Sequence, residues 1–427
     1  MSSNLENPSG EPASTSRELA LGPSPLPSPP PVPSSNWGVF LWVCAALCVG
    51  VMSTALISPL YPIYQTQYGF SNTDISYIHI VYMAGAMTSL LFLGNLNSYF
   101  GFWLILRTGL ILMIVGLSLL MISHSISWLI LGRILVGIAS GMISTSTMLG
   151  MIKTIPPHMS DRAPQYASII NVFGFGLGPL MGGIVAEFFP WPLVLPFLVM
   201  MLAAVGVSLQ LIRKGKQVKD QGVGEFTLIP DMRTPPPPGR SIFWIISLGA
   251  FLAFGVFSFF GSLATSFLHE FLADAGPLIN GISVSAVLLI SGVVQFTCKS
   301  FEPRKSFLAG LGMLGTGCLV LIGAIAFSAP QLFVVAVILS GIGHGLTLVT
   351  SFAMLHRIST PEIKSAALSS FLFIGYLGTI IPVIISGYVS DWFGLNTGVV
   401  TFSIMMIALA ITLALKIRQR AKTTPAN

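Results

Sequence analysis

From position 38 onward the chain is a succession of apolar runs, most of them about twenty residues or longer, separated by short polar or basic breaks. A helix rising 1.5 Å per residue needs roughly 20 apolar residues to cross about 30 Å of hydrocarbon. The runs therefore predict twelve transmembrane helices, at 38–61, 76–98, 103–123, 127–151, 165–188, 192–212, 242–266, 279–300, 307–327, 330–355, 366–389 and 395–415. Apolar and polar positions do not alternate within them, which argues against the short strands of a β-barrel. An open sheet in lipid would leave its backbone groups unsatisfied. Pro and Gly inside the runs do not veto a membrane helix, where both are tolerated. The expected class is an all-α polytopic membrane protein in two pseudo-symmetric six-helix halves. The expected organisation is a Pro-rich tail (1–36), a first half (37–212), a linker (213–240), a second half (241–415) and a basic tail (416–427).

Composition agrees. Hydrophobic residues make up 53% of the chain and charged residues 8%, with a mean hydropathy of +0.85. A soluble domain has about a quarter of its residues charged, so this chain cannot hydrate a water-exposed surface of its size. Cys44, Cys48, Cys298 and Cys318 lie in apolar runs and read as small hydrophobes. Residues 1–36, with prolines crowding 23–33, read as a disordered polyproline-like spacer rather than a signal peptide.

Charge placement orients the chain. With the N-terminus inside, inner segments hold Lys153, Arg162, Arg213, Lys214, Lys216, Lys219, Arg233, Arg240, Lys299, Arg304, Lys305, Arg357 and Lys364. The tail adds Lys416, Arg418, Arg420 and Lys422, and the outer loops contain no Lys or Arg. This is the positive-inside pattern for two cytoplasmic termini. It also accounts for the basic linker without a nucleic-acid partner, and the expected location is a bacterial inner (plasma) membrane.

An internal repeat joins the halves. Gly137-x-x-x-Gly141 matches Gly341-x-x-x-Gly345 at an offset of 204, which also pairs Lys153 with Arg357, Pro157 with Pro361 and Gly174 with Gly378. The same offset aligns Gly183-Ile-Val-Ala-Glu187-Phe-Phe with Gly387-Tyr-Val-Ser-Asp391-Trp-Phe. Parallel repeats of this kind suit a transporter that rocks about a central site.

Here the sequence, over about residues 37–415, resembles the major facilitator superfamily. Gly174-Phe-Gly-Leu-Gly178-Pro179-Leu-Met-Gly182-Gly183 is similar to the family's antiporter motif gxxxGPxxGG, which occurs mainly in proton-linked exporters. Small residues at every fourth position flatten a helix face for close packing, and Pro179 removes a backbone donor and permits a bend. Leu131-Gly132-Arg133-Ile-Leu-Val-Gly137 resembles the family's R-x-x-x-G motif, whose Arg is linked to proton transfer. An Arg inside hydrocarbon normally faces protein or water, and one that only holds helices together is the alternative. The helix 2–3 loop departs from the family's G-x-L-A-D-R-x-G-R-[RK]. Gly94 and Gly101 remain, but Ser98, Tyr99, Phe102 and Trp103 replace the charged positions. Either gating leans on packing and neutral hydrogen bonds, or the outward-facing state is held less strongly.

Helix 1 carries no carboxylate, so the titratable candidates for a proton pathway are Asp74, His79, His344, Glu187 and Asp391. His344 has a structural alternative, and the three carboxylates have one as plain helix-end residues. The resemblance implies that Ser53, Thr54, Tyr82, Ser144, Asn171, Ser262 and Gln295 line the cavity, with Phe257 supplying apolar area. Few fixed charges are available, which suits a neutral or amphipathic organic solute.

No cofactor, metal-ligand or nucleotide motif stands out, and nothing indicates an enzyme. Uphill transport would then draw on protons or another coupling ion. The expectation is proton-coupled export by a functional monomer in contact with membrane lipid. The alternatives are uptake or facilitated diffusion of a metabolite, and a non-transporting sensor or scaffold.

Overall fold

The computed structural model describes residues 37–93, 96–214, 232–272, 275–298 and 301–423. Among them are twelve helices long and apolar enough to cross a membrane. They are α1 (Trp37–Tyr68), α2 (Asn72–Phe92), α3 (Phe102–Ile122), α4 (Ile126–Thr154), α5 (Ala163–Phe188) and α6 (Leu195–Lys214). The second set is α7 (Gly239–His269), α8 (Pro277–Thr297), α9 (Pro303–Ala326), α10 (Pro330–Ile358), α11 (Lys364–Phe393) and α12 (Leu395–Arg420). The Pro-rich tail, most of the linker and Gly94 lie outside the described residues.

Two of the spans are broken. α1 is α-helical to Ala55, passes through a 3-10 turn at Ser58–Leu60 and resumes at Tyr61–Tyr68. Pro59 and Pro62 supply no backbone N–H there, so the helical ladder cannot run through. α7 is interrupted after Phe260 and resumes at Leu263. Ser262 bridges that gap by donating its hydroxyl to the Ser258 carbonyl at 2.7 Å. The breaks fall 204 residues apart, at Ile57 and Gly261, so the repeat seen in α4–α5 and α10–α11 extends to α1 and α7.

Each set of six helices has its own core. One joins Val39, Leu47, Leu110, Val136, Phe197 and Leu211, and the other joins Phe243, Phe259, Phe307, Phe333, Phe371 and Phe402. Lipid tails are as apolar as these side chains, so packing rather than water exclusion holds the helices together. Small residues therefore sit wherever two backbones meet. Gly174, Gly178 and Gly182 lay α5 on α1, and a methyl group at Gly178 would stand 2.5 Å from the Met52 carbonyl. A methyl at Gly182 would overlap the Leu56 carbonyl. Gly137 and Gly141 lay α4 on α2, against Tyr82 and Ser89. Their repeat mates Gly341 and Gly345 lay α10 on α8, against Val287 and Ser291. Gly101, at φ +81°, takes the left-handed turn that starts α3.

An even number of crossings puts Trp37 and Arg420 at one end of the bundle, together with Lys153, Arg213 and Arg357. We call this the basic end.

Candidate functional site: a central cavity closed at one end

The halves meet at the end away from the basic residues. Asp391, at the end of α11, accepts hydrogen bonds from the backbone N–H groups of Asn72 at 2.9 Å and Thr73 at 3.0 Å, in the first turn of α2. Its repeat mate Glu187, at the end of α5, accepts from the Leu278 N–H at 3.2 Å, in the first turn of α8. A carboxylate is favourable at a helix N-terminus, where N–H groups point outward without intrahelical partners. Two equivalent latches therefore join the halves across the pseudo-twofold axis. The Tyr77 and Tyr388 hydroxyls meet at 2.5 Å, and the Ser76 hydroxyl lies 3.4 Å from the Val383 carbonyl. A methyl on Gly183 would stand 2.6 Å from the Pro277 carbonyl, and one on Gly281 2.5 Å from the Pro179 carbonyl. Asp74, by contrast, stays within its own helix. It closes a capping box with Ser71, its N–H donating to Ser71 at 3.1 Å and its carboxylate accepting from the Ser71 N–H at 3.0 Å.

From mid-depth to the basic end the halves enclose a cavity of about 730 Å³. α2, α4 and α5 bring Tyr82, Ser144 and Asn171 to it, and α7, α8 and α10 bring Phe254, Phe257, Gln295 and His344. None of its described lining residues is Asp, Glu, Lys or Arg.

His344 stands midway along α10, buried, with ring centroids of Phe257 and Phe254 at 5.9 and 6.2 Å. Its Nδ1 pairs with the Ser291 hydroxyl at 2.7 Å, and Gln295 donates Nε2 to the same hydroxyl at 3.0 Å. His344 Nε2 and Asn171 Oδ1 have no partner in the structure. A buried polar atom left unpaired costs about 1–3 kcal/mol, so both atoms, sealed behind the cavity wall in this state, gain a partner only when the wall rearranges.

Arg133 is not among the lining residues. It is 1% exposed, donating Nε to the Ile78 carbonyl at 3.1 Å and Nη1 to the Thr54 carbonyl at 2.7 Å. Thr54 lies where α1 leaves the helical path, so the guanidinium caps that break and ties α4 to α1 and α2. Its carbon sits 4.4 Å from the centre of the ring of Tyr82, a residue that does line the cavity. A cation–π contact of this kind braces the aromatic wall.

The remaining candidates are spread apart. His79 is buried between the Tyr61 ring, 6.4 Å away, and the α7 break at Gly261. Ser53 turns back to the Val49 carbonyl at 2.7 Å, and Thr54 to that of Val51 at 2.6 Å. Ser262 serves the α7 break. Residues that the sequence did not single out complete the wall: Ser291, Tyr376, Phe175 and Thr145. Ser291 was within reach, standing one helical turn before Gln295 on the same face of α8. At the basic end, Lys153 lies 5.5 Å from the centre of the Phe102 ring, so an aromatic contact occupies one departure from the family loop.

The Major Facilitator Superfamily model matches residues 43–301 and 296–427. The chain belongs to that superfamily. It is 31% identical over 137 residues to the quinolone resistance protein NorA of Staphylococcus aureus (strain Mu50 / ATCC 700699), covering 32% of this chain and 35% of NorA. It is 23% identical over 158 residues to the riboflavin transporter RibZ of Clostridioides difficile (strain 630), covering 37% of this chain and 34% of RibZ. The matches thus span about a third of each relative's length. Among solved structures, the bacterial homologue of the human lysosomal transporter Spinster, inward-facing and unoccupied, superposes with a TM-score of 0.71 at 16% identity. That match covers 91% of this chain and 98% of the homologue. The POT family transporter PepTSo gives a TM-score of 0.71 at 11% identity, over 91% and 99% of the two chains. At these identities the structures speak for the fold. The protein is a multi-pass membrane protein of the superfamily fold.

Proposed function

We propose that this protein is a secondary transporter that exports a small neutral or amphipathic organic compound in exchange for protons, by alternating access. The observation that carries the reading is the mid-depth cavity, walled by aromatic and aliphatic side chains, with no charged residue among its described lining and with the polar side chains of Asn171, Gln295 and His344 in its wall. A charged metabolite would find no counter-ion there, whereas a ring-bearing amphiphile would find stacking faces and a few hydrogen bonds. The similarity to a quinolone resistance protein and a riboflavin transporter supports an organic ring compound. We place the basic end in the cytoplasm on the positive-inside rule. The cavity then opens inward, and the Asp391 and Glu187 latches form the closed outer gate. His344 is the proton-exchange candidate, since imidazole is the side chain that titrates nearest neutral pH.

The test is flux in sealed proteoliposomes under an imposed pH gradient, with a panel of ring-bearing amphiphiles including a quinolone and riboflavin. The reading expects accumulation that collapses when a protonophore dissipates the gradient. Equilibration indifferent to the gradient would assign facilitated diffusion instead, and no flux of any compound would overturn transport.

A further inference from the structure

The central cavity has a neighbour on one side. A second cavity, of about 630 Å³, lies between α5 and α8 toward the basic end, and Pro164, Ser168, Val172, Gln295 and Phe352 line both. Its outer rim reaches the surface at Phe173, Val293 and Phe296, which are 48%, 57% and 50% exposed. From the opposite end α5 and α8 run in contact, Gly183 on Pro277, Pro179 on Gly281, and finally Val172 on Gly292, where a methyl group would overlap the valine. Beyond that contact they part, and the gap leads from the apolar surface to Gln295 and its bond to Ser291.

The pseudo-symmetric pair α2 and α11 does not part in this way. The space there is about 110 Å³, bounded by Leu368, Leu372, Phe373 and Tyr376 of α11. The 204-residue offset places these four against Pro164, Ser168, Ile169 and Val172 of α5. Bulkier side chains fill on one side what smaller ones leave open on the other. The asymmetry is written in the sequence of the two repeats.

We propose that the α5–α8 gap is a lateral portal through which a bilayer-dissolved amphiphile passes between the leaflet at the basic end and the central cavity. This rests on the transport reading and narrows its substrate to compounds that partition into lipid. Phe173, Val293 and Phe296 give the rim apolar surface for a ring or chain from hydrocarbon, and the polar groups common to both cavities are Ser168 and Gln295, the latter one bond away from the Ser291–His344 pair. The five residues common to both cavities mark where the path runs.

The probe is a phosphatidylcholine carrying a diazirine on its acyl chain, which stays anchored in the bilayer, incorporated into vesicles with the full-length protein. After photolysis, adducts are mapped by mass spectrometry. Val349 and Phe352 of α10 line the portal from inside, whereas Leu202 of α6 is 57% exposed and lines neither cavity. The portal predicts adducts on Val349 and Phe352, reduced about tenfold or more in Ser168→Trp, where the indole fills the gap. Adducts on Leu202 should not change, which also reports that the variant is folded and inserted. Ser369→Trp, on the narrow α2–α11 side, should leave the pattern as it was. Adducts confined to outward residues, or adducts on α10 indifferent to Ser168→Trp, would overturn the portal. Photolabelling needs no turnover, so this result is independent of whether transport is found.

Discussion

Replacing Asp391 by Asn should loosen the closed end of the bundle by an amount that can be worked from its contacts. The carboxylate holds two backbone N–H groups of the first α2 turn, at 2.9 and 3.0 Å. Asparagine keeps one acceptor oxygen and loses the charge. A charge at an exposed helix N-terminus contributes about 0.3–1 kcal/mol, since solvent screens it. One lost hydrogen bond costs about 0.5–1.5 kcal/mol. The sum, about 1–2 kcal/mol, applies to the conformational equilibrium because α2 and α11 belong to different halves, and separating the halves breaks the contact. It corresponds to about a 5–30-fold shift in the ratio of closed to open populations. Glu187→Gln, with one bond at 3.2 Å, should shift it less, by about two- to threefold, and the double variant by about the product. The assay is the distance distribution between spin labels at Ser125 and Ser328, one in each half at that end, recorded by double electron–electron resonance. A longer-distance population should grow in the order Glu187→Gln, Asp391→Asn, double variant. Identical distributions in all three would refute the latch.

Arg133→Ala leaves the Thr54 and Ile78 carbonyls without their donor. It should lower thermal stability in detergent measurably more than Arg133→Lys does, and an unchanged melting temperature would remove the capping role. Gly178→Ala presses a methyl group on the Met52 carbonyl, an overpacking cost of about 1–3 kcal/mol. Its melting temperature should fall, while Gly206→Ala, with open space around it, should be neutral. Ser291→Ala and His344→Ala remove the interior polar pair. If solute bonds to it, affinity measured by fluorescence quenching should fall about tenfold for His344→Ala and less for Ser291→Ala. Unaltered affinity in both would move the binding contacts elsewhere in the cavity.

The twelve spans were legible because each is a continuous apolar run of membrane length, and the halves because Gly137, Gly174 and Asp391 repeat at one offset. The α1 break had a visible cause in Pro59 and Pro62. The α7 break did not, as Gly261 and Ser262 look like any small pair in a membrane helix. Cavity facing was legible only in part. Apolar residues surround these helices on all sides, so periodicity does not tell which face meets water. Tyr82, Asn171, Gln295 and His344 line the cavity, but Ser53 and Ser262 turn to carbonyls of their own helices. Sequence position marked Glu187 and Asp391 as helix-end carboxylates. Their partners lie 91 and 319 residues away, and local pattern carries no information at that separation.

The central claim is that the halves must separate at the end now closed for solute to cross. A methyl group on Gly387 would place its carbon 3.1 Å from Ser76 Cβ, a few tenths of an ångström short of the usual disulfide spacing of about 3.5–4.5 Å. Ser76→Cys with Gly387→Cys, in a chain whose four native cysteines are replaced, can therefore staple α2 to α11. The measurement is flux of a panel compound that the parent vesicles move, before oxidation, after oxidation and after reduction. Alternating access predicts that oxidation abolishes flux and reduction restores it, with each single-cysteine protein indifferent to both. Undiminished flux through the fully cross-linked protein would contradict the account.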